Sequence, residues 1–269
     1  MKLVSLICLM GISTFSFAAV NEKKIQLLKD PTGKAIKVDS KDVVTLERFE
    51  KMFSMDARTP GLPAMLKKTA FLHKQKAVPV LIKVMKESKF PEQNRWHATM
   101  LLAQIMGDKS APFIAKFATH PHWMMRVASL KALLGLKQAD YHVVYANALK
   151  DPSLIVRVQA LDNISQLKIT KLAPEVWNMM YDQTNYTGDK GSLKRTSIVK
   201  SIIRTIGDIK YEDAKKPLAK LIQKPKYQDL MDDLDYSLEK ITGKKSPDSA
   251  DQRRKFWSNL AVTTPAKKI

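Results

Sequence analysis

The side chains best able to do chemistry in this sequence are its histidines, a pair of adjacent carboxylates and a set of evenly spaced arginines. His120 and His122 stand two apart, and imidazole is a common metal ligand. A metal site needs three or four ligands in suitable geometry. The next histidines, His97 and His142, lie well away in the chain, so no metal is expected. Asp232 and Asp233 are adjacent, and neighbouring residues on a helix point to different faces. They do not form the paired carboxylates of acid–base chemistry. No Gly-rich phosphate loop, nucleophile elbow or His-Glu-x-x-His motif occurs. The one cysteine is Cys8. No catalytic residue and no cofactor is expected, although an active site assembled from several segments stays open.

The arginines lead to the elements. Arg95, Arg126 and Arg157 are 31 residues apart, and Arg195 follows 38 later. Counted from each arginine, position +4 reads Thr99, Leu130, Leu161 and Val199, and +7 reads Leu102, Leu133, Ile164 and Ile202. Position +10 reads Ile105, Leu136, Leu167 and Thr205, with Ile206 beside the last. Apolar residues at this spacing make one face of a helix. A second helical stretch precedes each: 78–87, 112–119, 141–149 and 173–181. One such pair cannot bury both of its stripes, and stacked neighbours bury them together. The expected fold is all-α, a right-handed α-solenoid of about five to six helix-pair repeats.

This pattern resembles the HEAT repeat. That family typically has an aspartate, often followed by proline, six residues ahead of its arginine. Asp151-Pro152 stands six before Arg157, and Asp189 six before Arg195. His120-Pro121 holds that place ahead of Arg126, and Lys89 ahead of Arg95. The resemblance implies a ladder of Arg95, Arg126, Asp151, Arg157, Asp189 and Arg195 that joins neighbouring repeats. Gly107-Asp108 and Gly207-Asp208 match the family's helix ending, where glycine closes a helix in a left-handed cap. A fifth unit has Met231 in the arginine place, with Leu234, Leu238 and Ile241 on its core face. The segment from Leu238 through Gly243 to Arg254 and Trp257 resembles the closing segment of exported bacterial HEAT proteins. The resemblance covers roughly 77–260 and speaks to fold more than function, because repeat scaffolds host unrelated roles.

Composition agrees with a helical chain. Of 269 residues, only 9 are glycine, which argues against a turn-rich all-β protein. Lys2, the apolar run 3–17 and the small residue Ala18 read as a signal peptide over 1–18, with Ala19 as a second cleavage point. Cys8 lies in the middle of that run, so lipidation is not expected, and the mature chain has no cysteine. The expected destination is periplasmic or secreted, with no transmembrane span in the mature chain. Residues 20–41 read as a linker or short hairpin and 43–76 as N-terminal capping helices. The repeats occupy 77–243, the closing segment 244–260 and a disordered tail 261–269. Residues 182–193 hold a seven-residue insertion that reads as a loop.

The surface reading follows from the helix face. If +1, +4, +7 and +10 face the core, +2, +5 and +9 face out, and the resemblance makes this the concave side. The ridge reads His97, Met100 and Gln104, then Lys131, then Gln159, Asp162 and Gln166, then Lys200 and Arg204, then Tyr236 and Lys240. The expected function is a non-catalytic, exported scaffold that binds a protein partner along this ridge. A net charge of +20 offers a rival, binding of an anionic polymer or a membrane surface. The excess is lysine rather than arginine, which fits a diffuse field better than a phosphate pocket, and no nucleic-acid-binding signature is present. An enzyme, such as a relative of the HEAT-like DNA alkylation-repair glycosylases or of the phycobilin lyases, is a third reading. Trp96, Trp123, Trp177 and Trp257 read as core or capping aromatics. The oligomeric state is not readable.

Overall fold

The structure, a computed structural model, describes residues 28–29, 35–36, 44–186 and 196–261. The expected signal peptide, Asp189, Arg195 and nearly all of the tail lie outside the described residues. The chain divides into two units, Met1–Val43 and Val44–Ile269. In the first, strands β1 (Leu28–Lys29) and β2 (Ala35–Ile36) pair antiparallel, with Leu28 opposite Ile36.

The second unit is helical. It opens with α1 (Leu46–Met52) and α2 (Leu62–His73), which bury Phe49, Phe53, Leu62 and Leu66. Helix pairs then follow in order. They are α3 (Val78–Lys86) with α4 (Glu92–Met106), α5 (Ala111–Ala115) with α6 (Trp123–Gly135), and α7 (His142–Ala148) with α8 (Leu154–Gln166). Next come α9 (Ala173–Asn178) with α10 (Thr196–Asp208) and α11 (Lys215–Ile222) with α12 (Met231–Thr242). Helix α13 (Ala250–Ala261) closes the unit against α11.

The chemistry of the helix starts explains the punctuation. Pro79, Pro112 and Pro174 stand in the first turn of α3, α5 and α9. Proline's fixed φ suits that turn, and its missing N–H would have had no helical partner there. The helix ends are less expected. Lys137, Lys168 and Lys210 follow α6, α8 and α10 with φ of 54°, 54° and 53°. Gln138 N, Ile169 N and Tyr211 N then donate back to Leu133 O, Ile164 O and Ile206 O. These are left-handed closures made by lysine, at a steric cost glycine would avoid.

The second helices of the pairs stack consecutively, α4 on α6, α8, α10 and α12. Leu102, Leu133, Ile164, Ile202, Ile206, Leu234 and Leu238 lie buried along this stack. The first helices cover its other side, with Leu81, Val84, Ile114, Val176 and Leu218 buried against it. The architecture is the expected all-α stack of helix pairs. No helix among the described residues is long and apolar enough to cross a membrane.

Candidate functional site

Among the described residues part of the expected ladder is present, and its rungs differ chemically. Arg126 donates from Nε and one terminal nitrogen to both oxygens of Asp151, at 2.6 and 2.7 Å. Its other terminal nitrogen reaches His120 O and Pro121 O, both at 2.9 Å. Two bonds to one carboxylate fix orientation as well as distance. Asp151 also accepts from Ser153 N at 2.8 Å, which steadies the start of α8. One repeat earlier, His120 takes the aspartate's role. Its Nε2 lies 3.0 Å from Arg95, and its Nδ1 accepts from His122 N at 3.0 Å. One repeat later, Asn185 does so, with Oδ1 accepting from Arg157 Nε at 3.1 Å. The two histidines weighed as metal ligands are thus engaged with protein donors, since His122 Nδ1 accepts from Met124 N.

A second ladder was not anticipated from the sequence. Asn163 on α8 donates to Leu130 O of α6 at 2.8 Å. Thr205 on α10 donates to Leu161 O of α8 at 3.5 Å, and Ser237 on α12 to Ile203 O of α10 at 2.7 Å. All three side chains are buried. Each uses a carbonyl of the preceding helix and so satisfies a polar group that burial would otherwise penalise.

These bonds correct the register of α10. Asn163 and Thr205 are equivalent, and 42 residues separate them, as they do Lys168 and Lys210. The insertion is therefore eleven residues, not seven, and Val199, fully buried, holds the arginine place in α10. Gly207 is also corrected: it closes no helix, since α10 continues to Asp208 and Gly207 lacks a positive φ. Gly107, with φ of 57°, does follow the end of α4.

With the corrected register, the outward residues of α10 are Ser201, Arg204 and Asp208. The last α8–α12 stretch of the ridge becomes one network. Asp208 accepts from Ser165 at 2.6 Å and from Tyr236 at 2.7 Å, so one carboxylate ties three helices. That bond to a carboxylate, with partial burial, raises the Tyr236 phenol above its ordinary range. Arg204 pairs with the buried Asp233 and stacks over the Tyr236 ring at 4.8 Å. Lys200 lies 3.8 Å from Asp233, and Lys240 5.4 Å from the Tyr236 ring. Gln159 and Gln166 both donate to Asp162, at 3.1 and 2.7 Å. A cleft of about 300 Å³ opens between α8 and α10, with Asp162, Ser165, Ser201, Arg204 and Asp208 on its walls.

Not every ridge residue fits the surface reading. Gln159 is buried, and its amide is committed to Asp162 and Asn163. His97 is half-buried, and burial lowers its imidazole below the usual range. Met100 is partly buried against the core, while Gln104 and Lys131 are exposed on α4 and α6. These four stand apart from the α8–α12 network. Ser165, Ser201 and Asp208 are the site residues that the sequence reading missed. The signal that would have found them is the set of buried polar residues at equal depth in successive helices.

Known proteins add little. No protein-family model and no curated protein matches the chain. It is similar to a solved structure described as "The structure of the complex of CpcE and CpcF of phycocyanin lyase from Nostoc sp. PCC7120". The two share 12% identity, over 84% of this chain and 98% of that one, with a TM-score of 0.44. The HEAT-like arrangement rests on this chain's own stacked helix pairs, and membership of the HEAT family is not established. One expectation is corrected by this likeness. The solved relative carries the name of a lyase, so the statement that the chain is not an enzyme is withdrawn. At this identity and score the likeness assigns no reaction here.

Proposed function

We propose that this chain is a HEAT-like helical scaffold, working outside the cytoplasm, that binds a protein partner across the inner-helix face formed by α8, α10 and α12. The observation that carries the reading is the Arg204–Asp208–Asp233–Tyr236 network beside an open cleft that Asp162 also lines. Its charges are of both signs and already matched, which suits a protein surface with its own mixed charges better than a polyanion. Arginine and tyrosine are the residue types that most often anchor such interfaces, and here Arg204 is exposed and held against Tyr236. The export reading rests on Lys2 and the apolar run that follows it.

The test is chemical cross-linking of the chain in envelope extract, with the cross-linked sites mapped by mass spectrometry at low and at high salt. Cross-links to a protein on the α8–α12 face that persist at high salt, and that Arg204→Glu abolishes, are the expected result. Capture of anionic material alone, released by salt, would overturn the reading and favour the electrostatic rival.

A further inference from the structure

A second concavity lies among the first helices of the pairs, away from the network described above. It has a volume of about 550 Å³ and is walled by Trp177, Tyr181, Tyr186 and Tyr227, with Pro217 and Lys220 at its edge. Trp177 was expected to be a core aromatic. It does pack on the core, but its ring also meets Tyr181 edge to face at 6.0 Å in the cleft. Tyr181 is 67% exposed, which leaves the rest of its ring open in the cleft. Tyr186 is held in place by its hydroxyl, which donates to Met180 O at 2.7 Å. The walls are therefore aromatic, with Tyr186 anchored by its hydroxyl.

The rim is cationic. Lys216 and Lys220 stand one turn apart on α11 and so share one edge of it, while Lys224 follows the helix in extended backbone. All three are exposed, and none has an ion-pair partner among the described residues. Lys226 adds a fourth charge, 4.9 Å above the Tyr227 ring. Asp182, next to Tyr181 in the chain, is engaged with Thr184 N and its hydroxyl, at 2.9 and 2.8 Å. This differs from the inner face, where positive and negative groups are matched.

We propose that this cleft binds an extended, proline-bearing peptide segment with acidic residues beside its prolines. Aromatic-lined grooves take polyproline II segments because that conformation is already formed and costs little entropy to bind. Proline rings would pack on Tyr181, Tyr186 and Trp177. Acidic side chains beside the prolines would meet Lys220 at the edge of the cleft and Lys226 above the Tyr227 ring. An oppositely charged rim selects acidic from basic peptides and speeds encounter.

The test uses the full chain and the synthetic peptide Glu-Pro-Pro-Glu-Pro-Pro-Glu, titrated by calorimetry. A lysine counterpart and a polygalacturonate oligomer are the comparison ligands. Tyr181→Ala and Lys220→Glu alter exposed side chains, and circular dichroism checks that both variants remain folded. The expected result is binding of the acidic peptide, weakened about tenfold or more by either substitution, an energy of about 1.4 kcal/mol. Arg204→Ala on the inner face should leave it unchanged. No binding of the acidic peptide, equal binding of the lysine peptide, indifference to both substitutions, or binding of the polygalacturonate alone would each overturn the proposal.

Discussion

At the scale of a residue, Gly207 shows how closely the second helices approach. A Cβ built there would stand 2.7 Å from Ser237 Cα and 2.8 Å from its hydroxyl oxygen. A backbone atom cannot rotate away, so α10 and α12 would have to separate, weakening the Ser237 bond to Ile203 O. Gly207→Ala should therefore cost about 1–3 kcal/mol of stability, in the range for overpacking a tight contact. Gly135, in α6, has nothing within 4 Å of the same built atom. Gly135→Ala should stabilise by up to about 1 kcal/mol through helix propensity alone. Urea unfolding of the two variants checks the pair. Equal responses would show that the α10–α12 contact is looser than described. The sequence reading gave Gly207 a capping role because Gly207-Asp208 matches the helix ending of the HEAT repeat it resembles, and only the neighbouring helix reveals the packing role.

At the scale of an element, the joint between the first two arginine helices depends on His120. Asp151 and His120 do the same work, each accepting from the N–H two residues on and facing an arginine of the preceding helix. A carboxylate has enough lone pairs for both donors. A neutral imidazole has one acceptor nitrogen, so the two contacts of His120 cannot both be good hydrogen bonds. Desolvation by burial, then the Arg95 charge, lowers its pKa below 6.5. The unfolded chain thus binds this proton more readily than the folded one. The joint's contribution is fully present above about pH 6.5 and is lost as pH falls below it. His97, also lowered by burial, adds to the trend with the same sign. Melting temperature should fall between pH 7 and pH 5. His120→Asp should raise it at pH 7 and flatten the fall, and a variant that melts lower with an unchanged slope would refute this account.

For the whole molecule, a stack of repeats needs closed ends, because each terminal helix has one face without a neighbour. The C-terminal end is closed by Trp257, which is 1% exposed and donates from Nε1 to the buried Asp235 at 2.7 Å. Arg253 and Ser246 complete that carboxylate's partners, at 3.2 and 2.8 Å. Trp257→Ala should cost about 3–5 kcal/mol, the range for emptying a large buried ring. It also leaves Asp235 short of a donor. Because repeats contact mainly their neighbours, hydrogen exchange should show lost protection in α11–α13 and little change in α4 and α6. Uniform loss along the chain would mean that the stack unfolds as one unit. The N-terminal end is closed differently. Asn94 on α4 donates to Phe53 O and Met55 O, at 2.9 and 2.8 Å, and so binds the first helix pair to the repeats.

Much of this was legible in the sequence, and the division has a physical cause. Met231 in the arginine place comes from aligning Gly243 with Gly107 and Gly207, and Trp257 as a closing residue from the family resemblance. The 31-residue period and the apolar face at +4 and +7 follow from repeat and helix periodicity. That periodicity is set by local backbone geometry and needs no partner to be read. The register of α10 was not legible, because an insertion adds residues without stating which are helical. The apolar face of α10 is wide enough that a shift of four residues still looks correct, since Ile198, Val199, Ile202, Ile203 and Ile206 are all buried. Asn163, Thr205 and Ser237 read as unremarkable polar residues until the preceding helix brings a carbonyl to each. Gln159 read as surface for the same reason. The sequence determined that helix pairs would form and which faces they would bury. The tertiary structure decided which polar group meets which, and so where Asp208, Arg204 and Tyr236 converge, because distances between helices depend on crossing and packing that no single helix encodes.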